Sequence, residues 1–88
     1  MKTPRIDLQA DLNAEDDEGR NWSLMRNALV PAAIVPGALV VAGYEGFWPV
    51  VRIDEVDEDG QVHFVPIDHE DPAARAVLKA AGADGWGT

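Results

Sequence analysis

The chain has 88 residues, 47% of them hydrophobic, and 16 acidic against 7 basic side chains leave a net charge of -9. That length holds a single domain with one modest core, burying only about two-thirds of the surface its unfolded chain would expose. The acidic excess argues against direct binding to a phosphate backbone, which needs lysines and arginines, and suits solubility by self-repulsion or a basic partner.

There is no cysteine, so disulfides and thiolate metal sites are excluded, which fits a reducing cytoplasm. The N-terminal stretch "MKTPRIDLQADLN" has no apolar run of signal-peptide length. The most apolar segment, residues 28–42, is broken by Pro31, Pro36 and Gly37 and is too short to cross a bilayer. The expectation is a cytoplasmic, monomeric protein that avoids the membrane.

Residues 1–20 are polar, with Ile6, Leu8 and Leu12 able to form a short edge strand and "AEDDEGR" reading as a charged loop. Asn21 then offers an N-cap for a short helix through Val30, with Trp22, Met25 and Leu29 on one face. Pro31 limits its continuation, because the residue before a proline avoids the α region. Trp22 is expected to pack that helix onto the rest of the fold.

Pro36-Gly37 reads as a turn leading into a strand over 38–42, and residues 47–56 form the longest strand candidate. On that strand Phe47, Val51 and Ile53 share one face, while Arg52 and Asp54 take the other. "VDEDGQ" supplies a hairpin loop with Gly60 where φ must be positive, and residues 61–67 return with Val62 and Phe64 inward and His63 outward. Asp71-Pro72 starts a helix: an acidic N-cap followed by proline at the first helical position, where its missing N–H costs nothing. Lys79 suits the negative end of that helix and Gly82 its left-handed cap, leaving 83–88 as a tail.

Three or four short strands with tight turns and a helix on either side cannot build a sandwich. The expected fold is mainly β (α+β): a strongly bent sheet closing into a small SH3-like barrel with an N-terminal and a C-terminal helix.

The stretch "PGALVVAGYEGFWPVVRIDEVDEDGQVHFV", residues 36–65, resembles the Tudor and PWWP branch of SH3-like barrels. The parts are Gly37, Val41-Ala42, the loop from Gly43 to Gly46, Phe47-Trp48-Pro49, the strand from Val50 to Val56, the acidic-glycine turn and Phe64. The resemblance implies an aromatic cage between the first two strands, with Tyr44, Phe47, Trp48 and Phe64 as its candidates. A cation over several desolvated rings gains roughly 0.5–2 kcal/mol, and Glu45 would add Coulomb attraction. Strand parity sends Phe47 and Trp48 to opposite faces, so both cannot line one cage. Phe47 is then expected to plug the core, with Trp48 at the rim beside Tyr44 and Glu45. The remainder of the chain, including "DLNAEDDEGRNW", resembles small acidic bacterial proteins that carry no assigned activity.

Other chemistry fits poorly. Asp11, Asn13 and Glu15 fall at positions 1, 3 and 5 of a calcium loop, but Asp16 stands where glycine belongs and Trp22 where glutamate does. His63, Asp68, His69 and Glu70 match no closed zinc spacing. The hydroxyl nucleophile candidates are Ser23, Thr3 and Thr88, and Ser23 falls where hydroxyls usually cap. No sequence cue buries a carboxylate. We therefore expect no cofactor, no metal and no catalysis, but a protein-interaction module binding a partner, basic in character, through Tyr44, Glu45 and Trp48. The alternative is an acidic inhibitor or nucleic-acid mimic occupying a basic site on another protein.

Overall fold

The computed structural model describes residues 5–44 and 47–82. Five strands, β1 (Leu8–Gln9), β2 (Asn21–Leu24), β3 (Leu39–Gly43), β4 (Val50–Val56) and β5 (Gln61–Pro66), precede one helix, α1 (Pro72–Ala80). They form a sheet in the order β1-β3-β4-β5-β2, curled into a nearly closed barrel. β1 runs parallel to β3, and the other neighbours are antiparallel. The two sheet ends meet where the Ser23 hydroxyl donates to the Gln9 carbonyl at 2.7 Å and Leu8 bridges to Ala28. No helix among the described residues is long and apolar enough to cross a membrane.

The barrel interior is filled by inward residues of alternating parity, among them Val40, Ala42, Val51, Ile53, Val62 and Phe64. As expected from "VDEDGQ", Gly60 turns the β4–β5 hairpin with φ of 79°. A second cluster lies on the other side of the sheet, where α1 seats Ala74 and Leu78, with Ala81 beyond them, against Val41, Trp48 and Val50. This is why β3 and the start of β4 are apolar without alternation: both of their faces are covered.

The Asp71 carboxylate caps α1, accepting from the Ala73 amide at 2.9 Å, with Pro72 at the first helical position. Asp71→Ala is expected to lower stability by about 1 kcal/mol, read from urea unfolding, with loss concentrated in the first turn of α1. Gly82 has φ of 92°, so the left-handed end also stands. The tail, 83–88, lies outside the described residues.

The expected N-terminal helix is corrected. Asn21–Leu24 is strand β2, paired with β5, followed by single 3₁₀ turns at Met25–Asn27 and Pro31–Ala33. Tryptophan, serine and asparagine are weak helix formers, and the open edge of β5 gives this segment a ladder that a one-face periodicity of three residues cannot match. Asn21 caps nothing helical; its side-chain amide donates to the Leu12 and Ala14 carbonyls at 2.8 and 3.2 Å. Leu29 is 56% exposed, so Trp22, Met25 and Leu29 share no packed face.

A carboxylate is also buried, contrary to expectation. Asp7 is 3% exposed, and its oxygens accept from the Val41 amide at 3.0 Å and Arg5 Nε at 3.1 Å. The contact supplies a partner for a strand amide beside the two-residue β1.

Candidate functional site

The turn joining β3 to β4 is closed by reciprocal backbone bonds, Tyr44 amide to Phe47 carbonyl and Phe47 amide to Tyr44 carbonyl, both 3.0 Å. Residues paired in this way put their side chains on the same side of a hairpin. Tyr44 is 51% and Phe47 54% exposed, so two large rings stand side by side at the tip. Tyr44 also borders a cleft of about 360 Å³ over the barrel seam, with Gln9, Asp11, Ser23 and Asn27.

Of the three residues expected at the rim, Tyr44 is there and Glu45 lies outside the described residues. Trp48 is corrected: it is 9% exposed, under α1. Phe47, expected as the plug, is the exposed ring. Trp48 does oppose Val51 and Ile53, as strand parity requires, and the difference from expectation lies in what covers each face. Phe47 stays outside both core clusters, 54% exposed, while α1 roofs the opposite face over Trp48. Phe64 is fully buried in the interior, so the four aromatics do not form a cage.

A polar constellation lies elsewhere, on the β2–β5 side of the barrel. His63 points outward from β5 as expected, yet it is only 7% exposed because the acidic loop folds over it. Its Nδ1 lies 2.7 Å from Asp16 Oδ2 and its Nε2 2.9 Å from Asp57 Oδ2. The Asp57 bond pushes the His63 pKa above its ordinary 6.5, against partial desolvation and with further support from Asp16. Partial burial opposes ionisation of Asp16, but the Arg20 amide, His63, the Glu18 amide and the Arg20 charge outweigh it and bring its pKa to about 2. The His63 bond, followed by the Gln61 amide, likewise lowers Asp57.

A register shift between Ile53 and Glu55 places Glu55, rather than Asp54, opposite His63. Glu55 and Glu18 then pair with Arg20 at 3.3 and 3.2 Å. Together with Trp22 and Gln61 these groups wall a cleft of about 360 Å³. The sequence contained one signal for it: a histidine of outward parity directly following an aspartate-rich turn. The second carboxylate, 47 residues earlier, had none.

Compared with protein-family models, with curated proteins and with solved structures, the chain matches none. The structure supports the coarser likeness, a small nearly closed barrel compatible with the SH3-like fold.

Of the remaining candidates, Thr3 and Thr88 lie outside the described residues, and several of the others serve the fold. Asp11, Asp16, Asp57, Asp68 and Asp71 each accept from the amide two residues onward, at 2.8–3.0 Å. Aspartate is thus used repeatedly to build turns, and part of the acidic composition is local architecture. Among the described residues no group of three or more His, Asp or Glu is placed to hold a metal ion. Ser23 is 6% exposed and its hydroxyl is engaged with Gln9.

Proposed function

We propose that this protein is a non-catalytic, cytoplasmic interaction module, monomeric by itself, that docks a basic protein partner through the β3–β4 hairpin tip. The observation that carries the reading is the adjacent, half-exposed pair Tyr44 and Phe47. Rigid aromatics present large contact area with few rotors, and they dominate the residues that anchor interfaces. The anchor is therefore Tyr44 with Phe47, Glu45 adding charge between them in sequence. The net charge of -9 complements a basic partner.

Less supports the acidic mimic. Such a protein needs carboxylates free at phosphate-like spacing, whereas Asp16, Glu18 and Glu55 converge on Arg20.

The test is retention of proteins from the native host on immobilised parent and on the Tyr44→Ser/Phe47→Ser double variant. Both rings are half-exposed, so the variant should melt within about 3 °C of the parent. Its affinity for any protein retained by the parent should fall at least tenfold per ring, about 1.4 kcal/mol each. Equal retention by a folded double variant rejects the hairpin tip as the binding surface.

A further inference from the structure

We propose that His63 is a proton-operated latch: as imidazolium it ties the tip of the acidic loop, Asp16 to Gly19, to the β4–β5 turn, and on losing its proton it loosens that tip from β5.

The geometry favours the charged form. Both ring nitrogens face carboxylate oxygens, Asp16 at 2.7 Å and Asp57 at 2.9 Å. A neutral imidazole has only one N–H, so one carboxylate would then meet a lone pair. Each aspartate is itself the centre of a turn. Asp16 accepts from the Glu18 and Arg20 amides at 2.8 and 2.9 Å, and Asp57 from the Asp59 and Gln61 amides at 3.0 and 2.9 Å. His63 is thus a strut between two separately organised turns.

Which turn moves follows from the connections. The Asp57 turn closes a hairpin whose strands are locked into the barrel, and its Asp57 amide bonds the Gln61 carbonyl at 2.9 Å. The base of the loop is tied to the barrel by the Glu15–Asn21 bridge, by the Asn21 side-chain amide on the Leu12 and Ala14 carbonyls, and by Leu12 packing on the core; further along, the exposed Arg20–Glu55 pair spans 3.3 Å. Its tip, Asp16 to Gly19, is bonded to Arg20 beside β2, through Asp16 at 2.9 and 3.0 Å and Glu18 at 3.2 Å, and reaches β5 through His63.

The charged groups around the ring are Asp16, Asp17, Glu18 and Arg20 from the loop, Glu55 from β4 and Asp57 from the turn; β2 contributes the uncharged Trp22. His63 is the imidazole among them, the side-chain type whose ordinary pKa lies near neutrality. Because its pKa is raised above 6.5, the strut is complete below that value and is lost as pH rises through the shifted pKa. The aspartates set the other limit: their pKa values are lowered from 3.8, so their contribution is complete above 3.8 and lost as pH falls through the shifted values. The latch is closed between roughly pH 4 and 6.5 and opens on the alkaline side.

NMR of the full chain from pH 5.5 to 8.5 tests this. The His63 ring should titrate with a midpoint above 6.5, and backbone order parameters of Asp17, Glu18 and Gly19 should fall through that midpoint from about 0.8 to below about 0.6. Those of Val51 and Phe64 should stay constant. In His63→Gln the loop should show no pH dependence over this range. A midpoint at or below 6.5, loop order unchanged through the midpoint, or loop and core loosening together would each overturn the latch. If His63→Gln does not fold, the parent's own titration still decides.

Discussion

Trp48→Ala is expected to cost about 3–5 kcal/mol, the range for deleting a large buried aromatic. The indole lies between the first residues of β4 and the helix, touching the cluster of Val41, Val50, Ala74 and Leu78. Removing it leaves a void beside Ala74 and Leu78 of α1 and takes the largest side chain out of the cluster that seats the helix. Domains of this size have a total stability of about 4–13 kcal/mol, so the loss is a large fraction of the whole. A fall in melting temperature of at least about 12 °C is expected, with the α1 amides losing protection first. A variant melting within about 3 °C of the parent would remove Trp48 from the core and restore it to the rim.

Gly43→Ala should be as damaging for a different reason. Gly43 has φ of 125°, which side chains rarely adopt, and a Cβ there collides with the Phe47 carbonyl oxygen while lying 3.2 Å from the Trp48 Cα. Both obstacles are backbone, so no rotamer change relieves them. The strain alone is worth about 1–3 kcal/mol, and opening the hairpin adds to it. Displacement would also disturb the Gly43 carbonyl, which accepts from the Ala10 amide at 3.1 Å and so holds the segment after β1. The control is Gly60→Ala, at φ of 79° with nothing within 4 Å of the added Cβ, where only a backbone cost of about 1–2 kcal/mol is expected. Chemical denaturation of the pair is decisive. Equal, small losses would show that the close approach at Gly43 relaxes. Because Tyr44 and Phe47 follow from this turn, Gly43→Ala should also weaken partner binding if it folds.

These two residues show where local reasoning succeeds and where it stops. Turn chemistry carried its own signal: Gly60 after an acidic run, and Asp71-Pro72 before an alanine-rich stretch, specify backbone conformations through short-range sterics and capping. Parity along β4 and β5 likewise located Val51, Ile53, Val62 and Phe64 inside. The segment from Asn21 to Val30 failed because its helical periodicity was weak and its alternative, pairing with β5, depends on a strand that lies 37 residues further on.

The same limit governs the candidate sites. Alternation says which side chains share a face, and that much of Phe47 and Trp48 was determined by the chain itself. The unbroken apolar run Leu39-Val40-Val41-Ala42, with adjacent Val50 and Val51, was a sign that both faces are covered. Only the folded arrangement decided what covers them: α1 returns over Trp48, and Phe47 is left half-exposed. It also decided that Asp16 and Asp57 meet on one histidine. Packing and ion-pair partners are set by surfaces far apart in the chain, whereas turns, caps and parity are set by neighbours.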